Sequence, residues 1–315
     1  MATTTKKSTT KAKTKTAKTK TTKKVSAKTA VKTTRATAAK RPSATATIPK
    51  AAAKKTQPGP TVAGMTIQKL RSLHVAAIGI FLLLAVAAGA LMNTASHQLT
   101  LGYLAKDELA STQTTVFAPA VQAVYDIELR WAVVGIMLAS MIFPVLYLTR
   151  LQKQYAEYLQ QSRMWSMRWI DLAITGALMT EVVALVSGVS DLPTLKLIGG
   201  MVAATALLGL IAERQNNAAA KPVRSAYYVS LFTGVLPWLL IASYAVATVV
   251  YGTAGVTWYV YALYAAVFGG FLLQARNQHM EFGRANFLVV ERNYIAISLL
   301  TKAAFAGILV IGLAR

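Results

Sequence analysis

Seven stretches of the chain are almost wholly apolar: Ala76–Met92, Glu128–Leu148, Arg168–Val189, Leu195–Ala212, Tyr228–Tyr251, Thr257–Gln274 and Leu288–Leu313. Each reaches or approaches the roughly 20 residues an α-helix needs to cross about 30 Å of hydrocarbon. None alternates apolar and polar positions as a barrel strand does, and a helix satisfies its own backbone where water is absent. The pattern predicts an all-α membrane protein of seven transmembrane helices. The residues before them have the opposite character. Met1 to about Val62 is built of Lys, Thr and Ala, with Pro42, Pro49, Pro58 and Pro60 near its end. It has no apolar periodicity to offset the entropy of ordering it. The expected organisation is a disordered basic tail over 1–67 and a helical membrane domain over 68–315.

Charge sharpens this division. The chain has 34 Lys and Arg against 11 Asp and Glu, a formal net charge of +23, yet is 55% hydrophobic. Nineteen of the basic residues and none of the acids precede residue 75, which leaves the remainder near +4. Four readings of the tail are open: a cytoplasmic anchor touching anionic lipid headgroups, a nucleic-acid-binding arm, an organelle transit peptide, and a solvated extension with no specific partner. The loops orient the spans. One set holds Arg150, Lys153, Arg163 and Arg168, then Arg214, Lys221 and Arg224, then Arg276, Arg284 and Arg292. The opposite set is poor in cations: Lys106 beside Asp107 and Glu108, Lys196 with Asp191, and an uncharged turn over 252–256. The positive-inside rule therefore predicts a cytoplasmic N-terminus and an extracellular C-terminus in the cell membrane. The first outside loop, about 93–125, is long for a helix connection, and the β-prone Gln113–Phe117 leaves a small hairpin or a flexible loop as its form.

Composition removes several chemistries. With no cysteine there is no disulfide framework, iron–sulfur site or thiol catalysis. Three histidines, at 74, 97 and 279, share no ligand spacing, so no metal is expected. No nucleophile–base constellation or phosphate loop argues for an enzyme.

Charges within the spans carry more information, because each costs about 2.5–3.5 kcal/mol at mid-bilayer and needs a partner or a purpose. Asp171 and Glu181 lie in the third span and Lys302 in the seventh. Lys302 falls about 14 residues into its span, near the midplane at about 1.5 Å per residue. A buried lysine shifts its pKa readily and attacks aldehydes, so Lys302 is a Schiff-base candidate. Its side chain leans toward the N-terminal end of its helix, which allows a pair with Asp171. A buried salt bridge that only fixes packing is the competing reading. Glu181 is expected to face the bundle interior, bonded to a hydroxyl such as Ser187 or Ser243, with a second proton site as the alternative. Trp169, Trp238 after Pro237, Tyr264, Phe268 and Phe271 fall at helical spacing. Such rings are ordinary core, or the walls of an apolar slot for a long conjugated polyene.

Two runs carry a resemblance. Arg168-Trp-Ile-Asp171-Leu-Ala-Ile-Thr175 in the third span and Glu291-Arg-Asn-Tyr294-Ile-Ala-Ile-Ser298-Leu-Leu-Thr-Lys302 in the seventh are similar to heliorhodopsin motifs. Pro237-Trp238 and the Phe271…Ala275-Arg-Asn277 end of the sixth span fit the same family, the inverted-topology branch of retinal proteins. The resemblance covers about residues 68–315. It implies a rhodopsin-like bundle with all-trans retinal on Lys302 as a protonated Schiff base and Asp171 as its counterion. Ser298 and Thr175 would complete the hydrogen bonds there, and Trp238, Phe268 and Phe271 would line the polyene. It further implies a homodimer with the first outside loop at or near its interface, a slow photocycle, and signalling to an unknown cytoplasmic partner rather than ion pumping. Two departures stand out. The family's counterion is Glu, where this chain has Asp171. The family's intramembrane histidines are absent from Ile80-Phe81-Leu82 and Ile142-Phe143-Pro144, and His74 lies near the membrane edge. Asp171 is then the simplest proton acceptor. A light-gated ion conductor and a retinal-free protein with a structural Lys302–Asp171 bridge are the rival functions.

Overall fold

The computed structural model describes residues 67–107, 115–160, 166–218, 222–252, 255–282 and 287–314. The basic tail expected over 1–67 lies outside these apart from Ile67. Among the described residues, seven helices are long and apolar enough to cross a membrane. In chain order the helices are α1 (Ile67–Leu91), α2 (Leu129–Leu148), a short surface helix α3 (Gln152–Gln160), α4 (Met167–Val186), α5 (Leu192–Ala218), α6 (Ser225–Tyr251), α7 (Trp258–Phe282) and α8 (Phe287–Gly312). All but α3 are spans. The chain is a multi-pass membrane protein with a seven-helix bundle.

Burial follows helical period. On α1 the buried residues are Leu70, His74, Ala77, Phe81, Ala85 and Ala88, steps of three or four that put one stripe inward. The other faces are apolar too: Leu83, Phe232, Leu300 and Ile311 are all exposed, as a lipid solvent requires. Because lipid is as apolar as these side chains, close packing and interior polar contacts hold the bundle together. Helix α1 packs on α2 and α8, α4 on α5, α5 on α6, and α7 on α8. Several helices run past the apolar segments that predict them. Helix α5 continues to Ala218 and α7 to Phe282, which brings Glu213 and Glu281 into helical register with the bundle interior.

The first connection is a hairpin rather than a flexible loop. Strand β1 (Ser96–Lys106) pairs antiparallel with β2 (Phe117–Glu128), Ser96 opposite Glu128 and Lys106 opposite Phe117, with an irregularity between Leu99 and Thr100. Of the β-prone Gln113–Phe117, Phe117 opens β2, while Gln113 and Thr114 lie outside the described residues. Leu99 is buried, and the Thr100 amide donates to the Ser190 carbonyl at 2.9 Å, which ties the hairpin to the turn between α4 and α5. That turn starts α5 with a side-chain cap, Asp191 accepting from the Thr194 amide at 3.0 Å. The bundle thus has a hairpin end, and an opposite end where α1 begins.

Candidate functional site

Lys302 is buried on α8, and its Nζ lies 2.9 Å from both carboxylate oxygens of Asp171 on α4. Helix α4 is not uniform. A π-helical turn, Leu172–Gly176, follows directly on Asp171, and such turns are common where a helix presents functional groups. Thr175 lies in that turn, fully buried, with Oγ1 donating to the Asp171 carbonyl at 2.8 Å and reaching Oδ1 at 3.3 Å. One turn before Lys302, Ser298 borders the same space. The ring of Phe81 on α1 lies 5.6 Å below Nζ, so one side of the ammonium faces an aromatic face instead of a second anion.

Lys302 separates two cavities. The larger extends between α4, α5, α6, α7 and α8, and its walls include Trp169, Thr175, Trp238, Phe271, Ser298 and Lys302. On α7 the lining residues are Val267, Gly270, Phe271, Gln274, Ala275 and Gln278, a stripe at steps of three and four. Phe268 stands off this stripe and Tyr264 one turn beyond it, so neither lines the cavity as the sequence pattern predicts. They form a second layer. Phe268 packs on Trp238 with ring centroids 5.0 Å apart and on Phe271 at 6.1 Å, and the Tyr264 hydroxyl donates to Ser187 Oγ at 2.7 Å. Gly234 makes room for Phe271: a Cβ there would meet Phe271 Cε2 at 2.6 Å. The smaller cavity, about 60 Å³, lies toward the end where α1 begins and is bordered by His74, Ser140, Asp171, Glu291, Ser298 and Lys302 among others.

A buried amine, a single carboxylate against it, and an aromatic-walled apolar space beside both suit an aldehyde with a long conjugated tail. The heliorhodopsin family model matches residues 70–313, a match that contains every one of these residues. This chain belongs to the heliorhodopsin family. It is therefore a light-responsive membrane protein with a retinal chromophore. Among solved structures it is similar to a light-driven proton pump, LR (Mac), from Leptosphaeria maculans, at 10% identity over 79% of this chain and 96% of that one, with a TM-score of 0.41. No match was found among curated proteins.

This heliorhodopsin holds a second polar site that hydropathy does not reveal. Arg168 of α4, nearly buried, donates from Nη1 to Glu291 at 2.9 Å and from Nη2 to Glu213 at 2.8 Å, with Glu281 at 3.4 Å. Its guanidinium lies 3.9 Å over the Tyr294 ring. Trp169 Nε1 also donates to Glu213 Oε2, and a Cβ at Gly209 would come 2.5 Å from the Trp169 ring. Tyr155 reaches in from α3 and donates to Glu291 at 3.0 Å. Burial, and after it the Glu291 carboxylate, push the Tyr155 phenol well above its ordinary value, so it keeps its proton. Three carboxyl groups thus surround one guanidinium. The sequence signal for the cluster was the recurrence of acids beside the loop cations, in Glu213-Arg214 and Glu291-Arg292.

The expectation for Glu181 is corrected. Glu181 does not bond Ser187 or Ser243; it pairs with Lys196 of α5 at 2.9 Å across the α4–α5 turn, with Lys196 largely exposed. Its approach is close, since a Cβ at Gly199 would collide with the carboxylate. His74, two turns into α1, is buried within the bundle. It is 96% buried, its Nε2 lying 3.3 Å from the Tyr155 hydroxyl, because α1 begins earlier, at Ile67, than its apolar run.

Proposed function

We propose that this heliorhodopsin is a light sensor that binds all-trans retinal covalently through Lys302 Nζ, with Asp171 as the counterion, and signals rather than pumps. The observation that carries the reading is the Lys302–Asp171 pair, 2.9 Å to each oxygen, at the wall of the aromatic-lined cavity. Retinal, when bound, supplies visible absorption and a light-driven change of shape. The chain's own residues do the rest. Asp171 holds the Nζ proton and balances its charge in a low-dielectric setting. Thr175 fixes the Asp171 carboxylate, and Ser298 stands within a turn of Nζ as a further hydroxyl. Trp169, Trp238 and Phe271 exclude water from the polyene side, with Phe268 and Tyr264 bracing Trp238.

Signalling is favoured by the distribution of ionisable groups. Among the described residues, those within the bundle gather at and beyond Lys302 toward one end, while at the hairpin end Glu181 is occupied with Lys196. Among the described residues, no ladder of carboxyl groups crosses to both faces, as efficient pumping needs. The positive-inside rule assigns the Arg168 end to the cytoplasm of the cell membrane, where the surface near α3 and the α7–α8 connection would meet an unknown partner. The same reading takes the hairpin as part of a homodimer contact and the tail as touching anionic lipid or nucleic acid. Borohydride reduction after incubation with all-trans retinal tests the attachment: a retinyl group is expected on Lys302 in the peptide map. A retinyl group elsewhere, or none, contradicts it. Illuminated vesicles are expected to show no sustained pH change or current; a steady light-driven current would favour the conductor.

A further inference from the structure

Trp169 belongs to both polar sites at once. Its ring borders the larger cavity, which Lys302 also borders, while its Nε1–H donates to Glu213 Oε2 in the Arg168 cluster. The indole is confined on its other sides. A Cβ at Gly209 would lie 2.5–3.0 Å from three carbons of the six-membered ring, so α5 has a glycine where that edge rests on its backbone. Gln278 of α7 donates to the Gly209 carbonyl at 2.9 Å and pins the same point. Tyr294 of α8 meets the indole edge-on, with ring centroids 5.7 Å apart. A rigid ring held in this way has one yielding side, the cavity.

Beyond the indole, each link toward the surface is a hydrogen bond between buried groups. Glu213 Oε2 also accepts from Arg168 Nη2 at 2.8 Å, Arg168 Nη1 donates to Glu291 at 2.9 Å, and Tyr155 of α3 donates to Glu291 at 3.0 Å. Coupling through such a chain needs an element with two discrete arrangements. The Glu213 carboxylate supplies one. It is fully buried, its Oε2 takes both donors, and its Oε1 has no hydrogen-bond partner among the described residues. An indole N–H pushed off Oε2 has Oε1 beside it as a second seat. Because a carboxylate is planar, moving one donor turns it against the other at Arg168. An unmet buried acceptor is costly as packing alone, so Oε1 fits an atom used in the second arrangement.

We propose that Trp169 is the positioning residue that couples the retinal cavity to α3. A change in the shape of retinal moves the indole, and its N–H passes from Oε2 to Oε1 of Glu213. Arg168, Glu291 and Tyr155 then carry the shift to the surface helix. Only hydrogen bonds are exchanged, and no net charge moves. The coupling is reciprocal, so a disturbance at Glu213 is felt in the cavity through the same ring. The inference rests on the retinal reading above and names the route by which that site reaches α3.

The full chain in lipid nanodiscs, with ¹⁵N at the indole nitrogens, gives five tryptophan signals, of which Trp169→Phe identifies one. With all-trans retinal bound, the Trp169 indole proton is expected in the dark at the downfield position of a carboxylate-bonded donor. In the photoproduct trapped under light it is expected to move. A visible band that bleaches while the Trp169 signal stays in place overturns the inference and leaves the retinal reading intact. Absence of any visible band before illumination removes the retinal reading, and this inference with it. A second measurement reads α3. The chain has no cysteine, so Glu157→Cys, on the exposed face of α3, carries a single environment-sensitive fluorophore. Its light-induced emission change, per bleached retinal, is expected to fall about fivefold or more with Glu213→Gln and to persist with Glu181→Gln at the far end of α4. No emission change in the otherwise unsubstituted chain, or an equal change with Glu213→Gln, contradicts the inference. If Glu213→Gln does not fold, the indole signal of the unsubstituted chain decides alone.

Discussion

Two ionic sites lie within one bundle and solve the same problem differently. Lys302 and Asp171 are one cation and one anion, both oxygens at 2.9 Å, with cavities on either side. Around Arg168, one guanidinium serves Glu213, Glu291 and Glu281, and tyrosine, tryptophan and histidine side chains close the network. The first site is balanced and open to a ligand. The second is over-acidic, packed and joins α4 to α5, α7 and α8. Burying charge costs several kcal/mol per ion unless geometry and hydrogen bonds offset it. The Arg168 site meets that cost with many partners, which suits a structural joint. The Lys302 site meets it with one, which leaves the amine free to exchange a proton or form a covalent bond.

The sharpest way to break this comparison is to remove each cation. Arg168→Gln strands three carboxyl groups and is expected to cost about 3–5 kcal/mol or more, measured as a loss of thermal stability in lipid. Lys302→Met strands only Asp171, and adding Asp171→Asn is expected to restore most of its loss, since an apolar or neutral replacement of a buried pair is often harmless. If Lys302→Met is the more damaging of the two single changes, the balanced site is the structural one and the comparison is inverted.

A smaller effect is expected at Tyr155, where Phe leaves His74 Nε2 and Glu291 each short of one hydrogen bond, at about 1–3 kcal/mol. Its pH dependence has a defined sign. The folded-state phenol is raised above its ordinary value of 10.0, so the stability it contributes is complete below pH 10 and is lost as pH climbs through the folded value. Tyr155→Phe should therefore flatten the alkaline part of the stability profile, and an unaltered profile would contradict the assigned hydrogen bond. The smallest effect belongs to Glu181→Gln. Its partner Lys196 is exposed, so the change should be within about 1 kcal/mol by thermal melting. A larger loss would mean that the hairpin end also holds a structural ionic site.

What the sequence makes legible follows from what hydropathy can sense. The seven spans appear because lipid-facing surfaces must be apolar, whatever lies inside. Lys302 and Asp171 stand out because each interrupts such a run. The Arg168 cluster does not, since Glu213 comes directly after the apolar segment ending at Ala212, and Glu281 seven residues after Gln274. Both read as loop charges until the helices are seen to continue inward-facing. The Glu181–Lys196 pair hides for another reason: it spans a tight turn between antiparallel helices, and apolar spacing says nothing about which residues face each other across it. Tyr264 and Phe268 share the helical period of the cavity stripe on α7 only in part, so a one-turn or one-face offset was enough to move them behind Trp238.

On the proposed function, the Lys302–Asp171 pair is a retinal-attachment site and not merely a bridge. The visible spectrum of the purified full chain after adding all-trans retinal, run beside Lys302→Ala, tests it most directly. A band in the visible that is absent from the variant is expected. A folded wild-type sample with no such band, or an equal band in Lys302→Ala, would contradict it.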